Sequence, residues 1–184
     1  MYRLLEGVEE EPVASLLTGK VSSGMTEPLP FTVVSDLAEI VGQEHVITDP
    51  DRLLVYESDG LTAYRRPPRA VVLPSSTEEI AAVVRLLHSN GIEVIPRGAG
   101  TGLSGGALTT PEGVIVGTAR MNRILKIDVE NRIAIAQPGV INARLTEATN
   151  PYGLYYAPDP SSQSTCTLGG NVAENSGGPH CLKY

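Results

Sequence analysis

The stretch "PRGAGTGLSGG", residues 96–106, carries five glycines within nine positions directly after the apolar run "IEVI". Backbone amides in such a run can converge on an anion, because glycine allows positive φ and close approach of a ligand to the chain. Thr101 and Ser104 add hydroxyl donors, and Arg97 adds a cation able to pair with phosphate. A second cluster, "TLGGNVAENSGG", places Gly169 and Gly170 at the start of a short helical stretch, suited to a polar ligand at a helix N-terminus. Asn171 and Asn175 lie four apart, so a helix would put both amides on one face, ready to hydrogen-bond a heterocycle or a chain of hydroxyls. Two Gly/Ser/Thr/Asn loops in one small chain point to a large, elongated, phosphate-bearing ligand.

Gly100, Gly102 and Gly105 also spell G-x-G-x-x-G, which raises a nicotinamide cofactor on a Rossmann fold as an alternative. That fold demands a helix opening at the third glycine. Here "ALTTPEGVIVG" follows, with a turn and a β-branched run and no helical stripe. A P-loop is excluded as well, since no G-K-[S/T] follows.

The elements that must position these loops can be read from periodicity. "AVVLP" (70–74) reads as a buried strand. Ser75, Ser76, Glu78 and Glu79 offer two overlapping capping boxes. Ile80, Val83, Val84 and Leu87 form one apolar helical stripe, with Gly91 as the C-terminal cap. "IEVIP" (92–96) returns as a second strand, so a βαβ unit with parallel strands is expected, and the glycine loop leaves its carboxyl end. "GVIVGT" (113–118) reads as a strand, 123–139 as a hairpin turning at "VEN", and 141–153 as a helix presenting Ile141, Leu145 and Ala148. Upstream, 35–57 reads as two short helices, capped by Asp36 and by Asp49 or Asp51.

The whole chain narrows the function classes. Its 184 residues bear a net charge of −7, with 41% hydrophobic and 19% charged residues. This suits a packed core and disfavours a nucleic-acid binder, which needs a basic face. No run has the length of an integral membrane segment, and the acidic start (Glu9, Glu10, Glu11) is unlike a signal peptide, so a cytoplasmic protein is expected. Cys166 and Cys181 are expected to be free thiols, and His45, His88 and His180 are too scattered for a metal site.

Taken in order, "PRGAGTGLSGG", "APDPSSQSTCTLGGNVAENSGG" and "PHCLKY" resemble the FAD-binding domain of the vanillyl-alcohol-oxidase and p-cresol-methylhydroxylase (PCMH) flavoprotein superfamily. Within it the sequence is most similar to the glycolate oxidase D subunit and the FAD-linked D-lactate dehydrogenases. The resemblance covers roughly residues 45–184. It implies an α+β, PCMH-type FAD-binding fold of two α+β subdomains, C-terminally truncated. The expected organisation is a flexible extension (1–30), an N-terminal helical segment (31–66) and an incomplete FAD-binding domain (67–184), with the substrate domain absent.

By the family pattern the pyrophosphate is wrapped by Arg97, Gly98, Ala99, Gly100, Thr101, Gly102, Leu103, Ser104, Gly105 and Gly106. The isoalloxazine and the rest of the cofactor are lined by Pro158, Asp159, Pro160, Ser164, Thr165, Thr167, Gly169, Gly170, Asn171, Ala173, Asn175, Gly177 and Gly178. Some relatives attach FAD through a histidine in the glycine loop. Thr101 stands at that place, so non-covalent FAD is expected, although other relatives use a cysteine linkage and Cys166 lies near the flavin segment. The implied reaction is oxidation of a D-2-hydroxy acid, glycolate or D-lactate, by hydride transfer to FAD, with iron–sulfur partner subunits. No catalytic base is assigned within 1–184, and the chain alone is expected to be inactive. Two alternatives remain: a non-catalytic fragment with weak or no FAD binding, and a superfamily flavoenzyme acting on another alcohol.

Overall fold

Alternation along four short strands builds the core. The computed structural model describes residues 27–110 and 112–183. Strands β1 (Val46–Ile47), β2 (Ala70–Val72), β3 (Glu93–Arg97) and β4 (Gly113–Gly117) form one sheet in the order β1-β2-β4-β3. β4 runs parallel to both β2 and β3, with Val71 and Ile95 each opposite Ile115, and β1 is antiparallel to β2. The βαβ unit is therefore present with its strands parallel. β4 inserts between them, a long-range choice that local pattern does not encode.

Successive side chains on a strand face opposite ways, and both faces of this sheet are covered. Val46, Ala70, Val72, Val114 and Val116 pack with Val33, Leu37 and Val41 of α1 (Phe31–Val41) and with Val83 and Leu87 of α3 (Thr77–Ser89). Ile47, Val71, Ile95 and Ile115 face the other way, onto Leu53 at the end of α2 (Pro50–Leu53) and onto Tyr56. Burial on both sides explains the near-continuous β-branched strands.

The helix ends test the capping expectations. Asp49 caps α2, its carboxylate accepting from the Arg52 N–H at 3.1 Å. Asp36 does not cap α1. Pro30 precedes that helix, and Asp36 lies inside it, because the helix carrying the apolar face Val33–Leu37–Val41 begins at Phe31, five residues before Asp36. At α3 the Ser76 hydroxyl accepts from the Glu79 N–H, and the Ser75 N–H and hydroxyl both donate to the Glu79 carboxylate. Val84, expected on the buried stripe, is 37% exposed, since α1 and the sheet together cover a narrower arc centred on Val83 and Leu87. Gly91 follows α3 at φ +65°.

The hairpin forms as β5 (Ile124–Asp128) and β6 (Ile133–Ala136), an antiparallel pair separate from the first sheet. Its turn is fixed by Asp128, whose carboxylate accepts from the backbone and side-chain amides of Asn131. Helix α4 (Asn142–Thr149) buries Asn142, Leu145 and Thr149 rather than the expected Ile141, Leu145 and Ala148. Asn142 explains the rotation: its N–H donates to Cys166 O and its Nδ2 to Pro158 O, which draws that face inward. Helix α5 (Leu168–Ala173) completes the order. Most of the expected 1–30 extension lies outside the described residues. Of its last residues, Leu29 is buried in the core, and Arg69 donates to the carbonyls of Glu27 and Pro28.

Candidate functional site

The carboxyl ends of β3 and β4, side by side in the parallel sheet, release two chain segments into one cavity. Ligands in open α/β sheets bind at such strand ends. The cavity measures about 710 Å³, and the whole 97–104 run lines it, together with Gly106 and Thr118. No helix follows the loop, so the amides of 99–104 and 106 are not consumed by secondary structure. None of them donates to an acceptor within the described residues. Gly100 and Gly105 adopt positive φ, +71° and +82°, the kind of backbone turn from which anion nests are built.

Arg97 supports the loop from beneath. It is buried, its guanidinium lies 5.6 Å from the centre of the Tyr56 ring, and Nη1 donates to Ala107 O. A Cβ on Gly100 would collide with that guanidinium. Burial pushes the Arg97 pKa down, opposed by Tyr56 and Asp59. An arginine starts so high that it stays cationic, and the cavity floor carries a positive charge.

The opposite wall comes from 166–176. Thr167 caps α5 by accepting from the Gly170 N–H, and its hydroxyl occupies the space a Cβ on Gly98 would need. The two glycine loops are therefore in contact. Cys166, Thr167, Gly169, Gly170, Asn171 and Ala173 line the cavity. Asn171 and Asn175 do not share a helical face. The helix ends at Ala173, and Asn175 sits at φ +52°, which turns its side chain off the helical path. Asn171 is buried, and its Nδ2 has no partner.

The remaining expected residues lie beside this cavity rather than on its lining. Gly105 turns its N–H away, onto Asp59. Pro158 O is held by Asn142, and Ser164 and Thr165 sit on an exposed turn. The Asp159 N–H donates to Gly177 O, and its carboxylate holds the His180 N–H and ring, 2.7 Å from Nδ1. Partial burial would raise the Asp159 carboxyl, but these bonds and the imidazole hold it below its ordinary value. Gly178, at φ +81°, packs against Asp159, and Pro160 O accepts from the Gln163 N–H.

Several lining residues were not singled out from sequence: Thr118, Pro138, Ser161, Ser162, Glu174 and Ser176. Thr118 had a signal, a hydroxyl at the end of a buried strand. Pro138 had none, since only the tertiary fold brings it against Gly169. The Glu174 carboxylate accepts from the Ser104 hydroxyl and lies against Gly106, bridging the two loops at the mouth.

Comparison with known proteins decides the family. Residues 68–184 match the FAD binding domain family. This chain belongs to that FAD-binding family. Glycolate oxidase subunit GlcD of Escherichia coli strain K12 is 48% identical over 153 residues, covering 83% of this chain and 31% of that protein. D-lactate dehydrogenase of Archaeoglobus fulgidus is 38% identical, covering 82% and 33%. D-2-hydroxyglutarate dehydrogenase of Stutzerimonas stutzeri is 34% identical, covering 87% and 34%. The chain thus spans about a third of the length of the curated relatives it matches. Among solved structures, alkyldihydroxyacetonephosphate synthase superposes with a TM-score of 0.77 at 25% identity, over 88% of this chain and 32% of that one. p-Cresol methylhydroxylase superposes at 0.68 and 23%, over 77% and 28%. The fold of the FAD-binding chain is accordingly the α+β PCMH type.

FAD is the cofactor of this domain family, and the residues present fit it. The loop offers unpaired N–H donors above a buried guanidinium, which suits a dianionic pyrophosphate. Asn171 and Thr118 are lining residues, and their Nδ2 and Oγ1 are buried without a partner. Among the described residues no group of three His, Cys, Asp or Glu side chains could hold a metal ion, and no helix is long and apolar enough to cross a membrane.

Proposed function

We propose that this chain is the FAD-binding portion of a flavin-dependent oxidoreductase that oxidises a D-2-hydroxy acid, glycolate or D-lactate. The single observation that carries the cofactor role is the row of unpaired amides at 99–104 over Arg97. In this reading those amides and the Thr101 and Ser104 hydroxyls bind the pyrophosphate, and Arg97 balances its charge. Asn171 and the 166–178 segment orient the remainder of the cofactor, with 158–160 beside it. The bound flavin supplies the two-electron acceptor to which the substrate α-carbon gives its hydride. Thr101, where some relatives attach their cofactor, supports non-covalent binding. The choice of hydroxy acid rests on the names of the relatives, and no residue of 1–184 is given the role of base.

Gly102→Asp tests the pyrophosphate assignment. A Cβ there meets nothing nearer than Glu174 Cδ at 3.7 Å, so the fold tolerates the side chain while the charge faces the ligand. Hydrogen bonds to a charged group contribute about 1.5–3 kcal/mol each. Losing two should weaken FAD binding by about a hundredfold or more. The measurement is FAD titration followed by flavin fluorescence, and an unchanged affinity would remove the loop from the cofactor site.

A second reading, a superfamily flavoenzyme acting on another alcohol, is favoured by the likeness to 4-ethylphenol oxidase from Gulosibacter chungangensis, at 28% identity and a TM-score of 0.67 over 77% of this chain and 28% of that one. Turnover by the whole protein of glycolate and D-lactate, against a phenolic alcohol, separates the two.

A further inference from the structure

The segment just before the matched family region, which begins at residue 68, grips the glycine loop from outside. Asp59 is 5% exposed. One carboxylate oxygen accepts from the Leu61 N–H at 2.8 Å and closes a local turn. The other accepts from the Gly105 N–H at 3.0 Å, across 46 residues of sequence. Next to it the Gly60 N–H donates to Gly102 O at 2.9 Å, and a Cβ on Gly60 would stand 2.8 Å from the carbonyls of Thr101 and Gly102. Tyr56, three residues earlier, lies under Arg97. The 56–61 segment is thus a back plate: aromatic ring beneath the arginine, carboxylate and amide beneath the loop.

This placement has a consequence for the amides. Gly105 is the member of 99–106 whose N–H is committed to a protein acceptor, and it is one of the two at positive φ. Its neighbours in the loop have no such acceptor among the described residues. Asp59 is also a buried carboxylate close enough to Arg97 to favour the charged guanidinium. As a bare charge it would repel a pyrophosphate, so its charge and its hydrogen bond act in opposite directions on cofactor affinity.

We propose that Asp59 is a positioning residue for the cofactor, holding the Gly105 amide so that the remaining loop amides stay aligned for a pyrophosphate. The proposal rests on the assignment of the loop to the FAD pyrophosphate, and the test keeps the two apart. Asp59→Asn keeps the volume and the turn to Leu61, since Asn accepts equally well two residues on. It sets an amide NH2 against the Gly105 N–H, which has then lost its acceptor.

Four forms of the chain are compared: unaltered, Asp59→Asn, Asp59→Ala and Gly102→Asp. Each is titrated with FAD, melted without FAD, and followed by hydrogen exchange over 98–106. Asp59→Asn should fold, exchange faster across the loop, and bind FAD about tenfold more weakly. Asp59→Ala should do the same or worse. Unchanged or tighter FAD binding by Asp59→Asn overturns the proposal, because charge would then outweigh positioning. So does a loss of affinity with loop exchange unaltered, or failure of both Asp59 variants to fold, which would make Asp59 a stability residue. If Gly102→Asp binds FAD like the unaltered chain, or the unaltered chain binds none, the pyrophosphate assignment itself fails and the proposal falls with it.

Discussion

Glu174 places a negative charge at the mouth of a loop whose other features favour an anion. Its carboxylate is held by the Ser104 hydroxyl, one of the donors a pyrophosphate would use. Binding FAD therefore either displaces this carboxylate or brings two anions close. Charges a few ångströms apart near a surface interact by roughly 1–4 kcal/mol. Glu174→Gln keeps an acceptor for Ser104 and removes the charge, so FAD binding should tighten by about fivefold or more at low salt. The gain should shrink as salt is added, and isothermal titration at two ionic strengths checks both. Weaker binding by the variant would show that the carboxylate holds the cofactor rather than opposing it.

At the scale of elements, the start of α3 sets the angle at which the βαβ crossover leaves β2. The Ser75 N–H donates to the Glu79 carboxylate at 2.7 Å, and the Ser75 hydroxyl at 2.9 Å. The backbone bond is the largest influence on Glu79, burial opposes it, and the Ser75 hydroxyl and Arg120 reinforce it, so its carboxyl lies below the ordinary value. A depressed carboxylate pKa means stability that is complete above the ordinary range and is lost as pH falls through the lowered value. Glu79→Gln should cost about 1 kcal/mol near neutral pH, and the difference from the unaltered chain should vanish in acid. Thermal melts across pH provide the check, and a gap that persists in acid would assign the effect to packing. Of the two capping boxes expected, the Ser76–Glu79 pairing was legible because its partners are neighbours in sequence, while Ser75 bonds Glu79 rather than Glu78. The buried face of α4 was not, because Asn142 is turned inward by the carbonyls of Pro158 and Cys166.

For the molecule as a whole, the two sheets carry different loads. Ile115 is fully buried at the centre of the four-stranded sheet, whereas Ile133 on the hairpin is 56% exposed. Ile115→Ala should destabilise the chain by about 2–5 kcal/mol, and Ile133→Ala by no more than about 0.5 kcal/mol. Urea denaturation of both variants tests this. Comparable losses would mean that the hairpin is packed as tightly as the core. The contrast also bears on the cofactor: the loop carrying the free amides springs from the stable sheet, which holds it in place before any ligand arrives.

Sequence by itself determined the loop chemistry and the local elements. Glycine density, the missing helix after "PRGAGTGLSGG", the strand–helix–strand unit and the ordered motifs that resemble an FAD domain all depend on neighbours along the chain. The tertiary structure decided what distance along the chain conceals. β4 lies between β2 and β3, and Thr118 and Pro138 reach the cavity wall. Arg97 rests on Tyr56 beneath the loop rather than reaching out from it. Asp59 and Glu174 both bond the same glycine loop, 46 and 70 residues from their partners. Hydrogen bonds of that span leave no periodicity to read, because their geometry exists only after the sheet has brought the segments together.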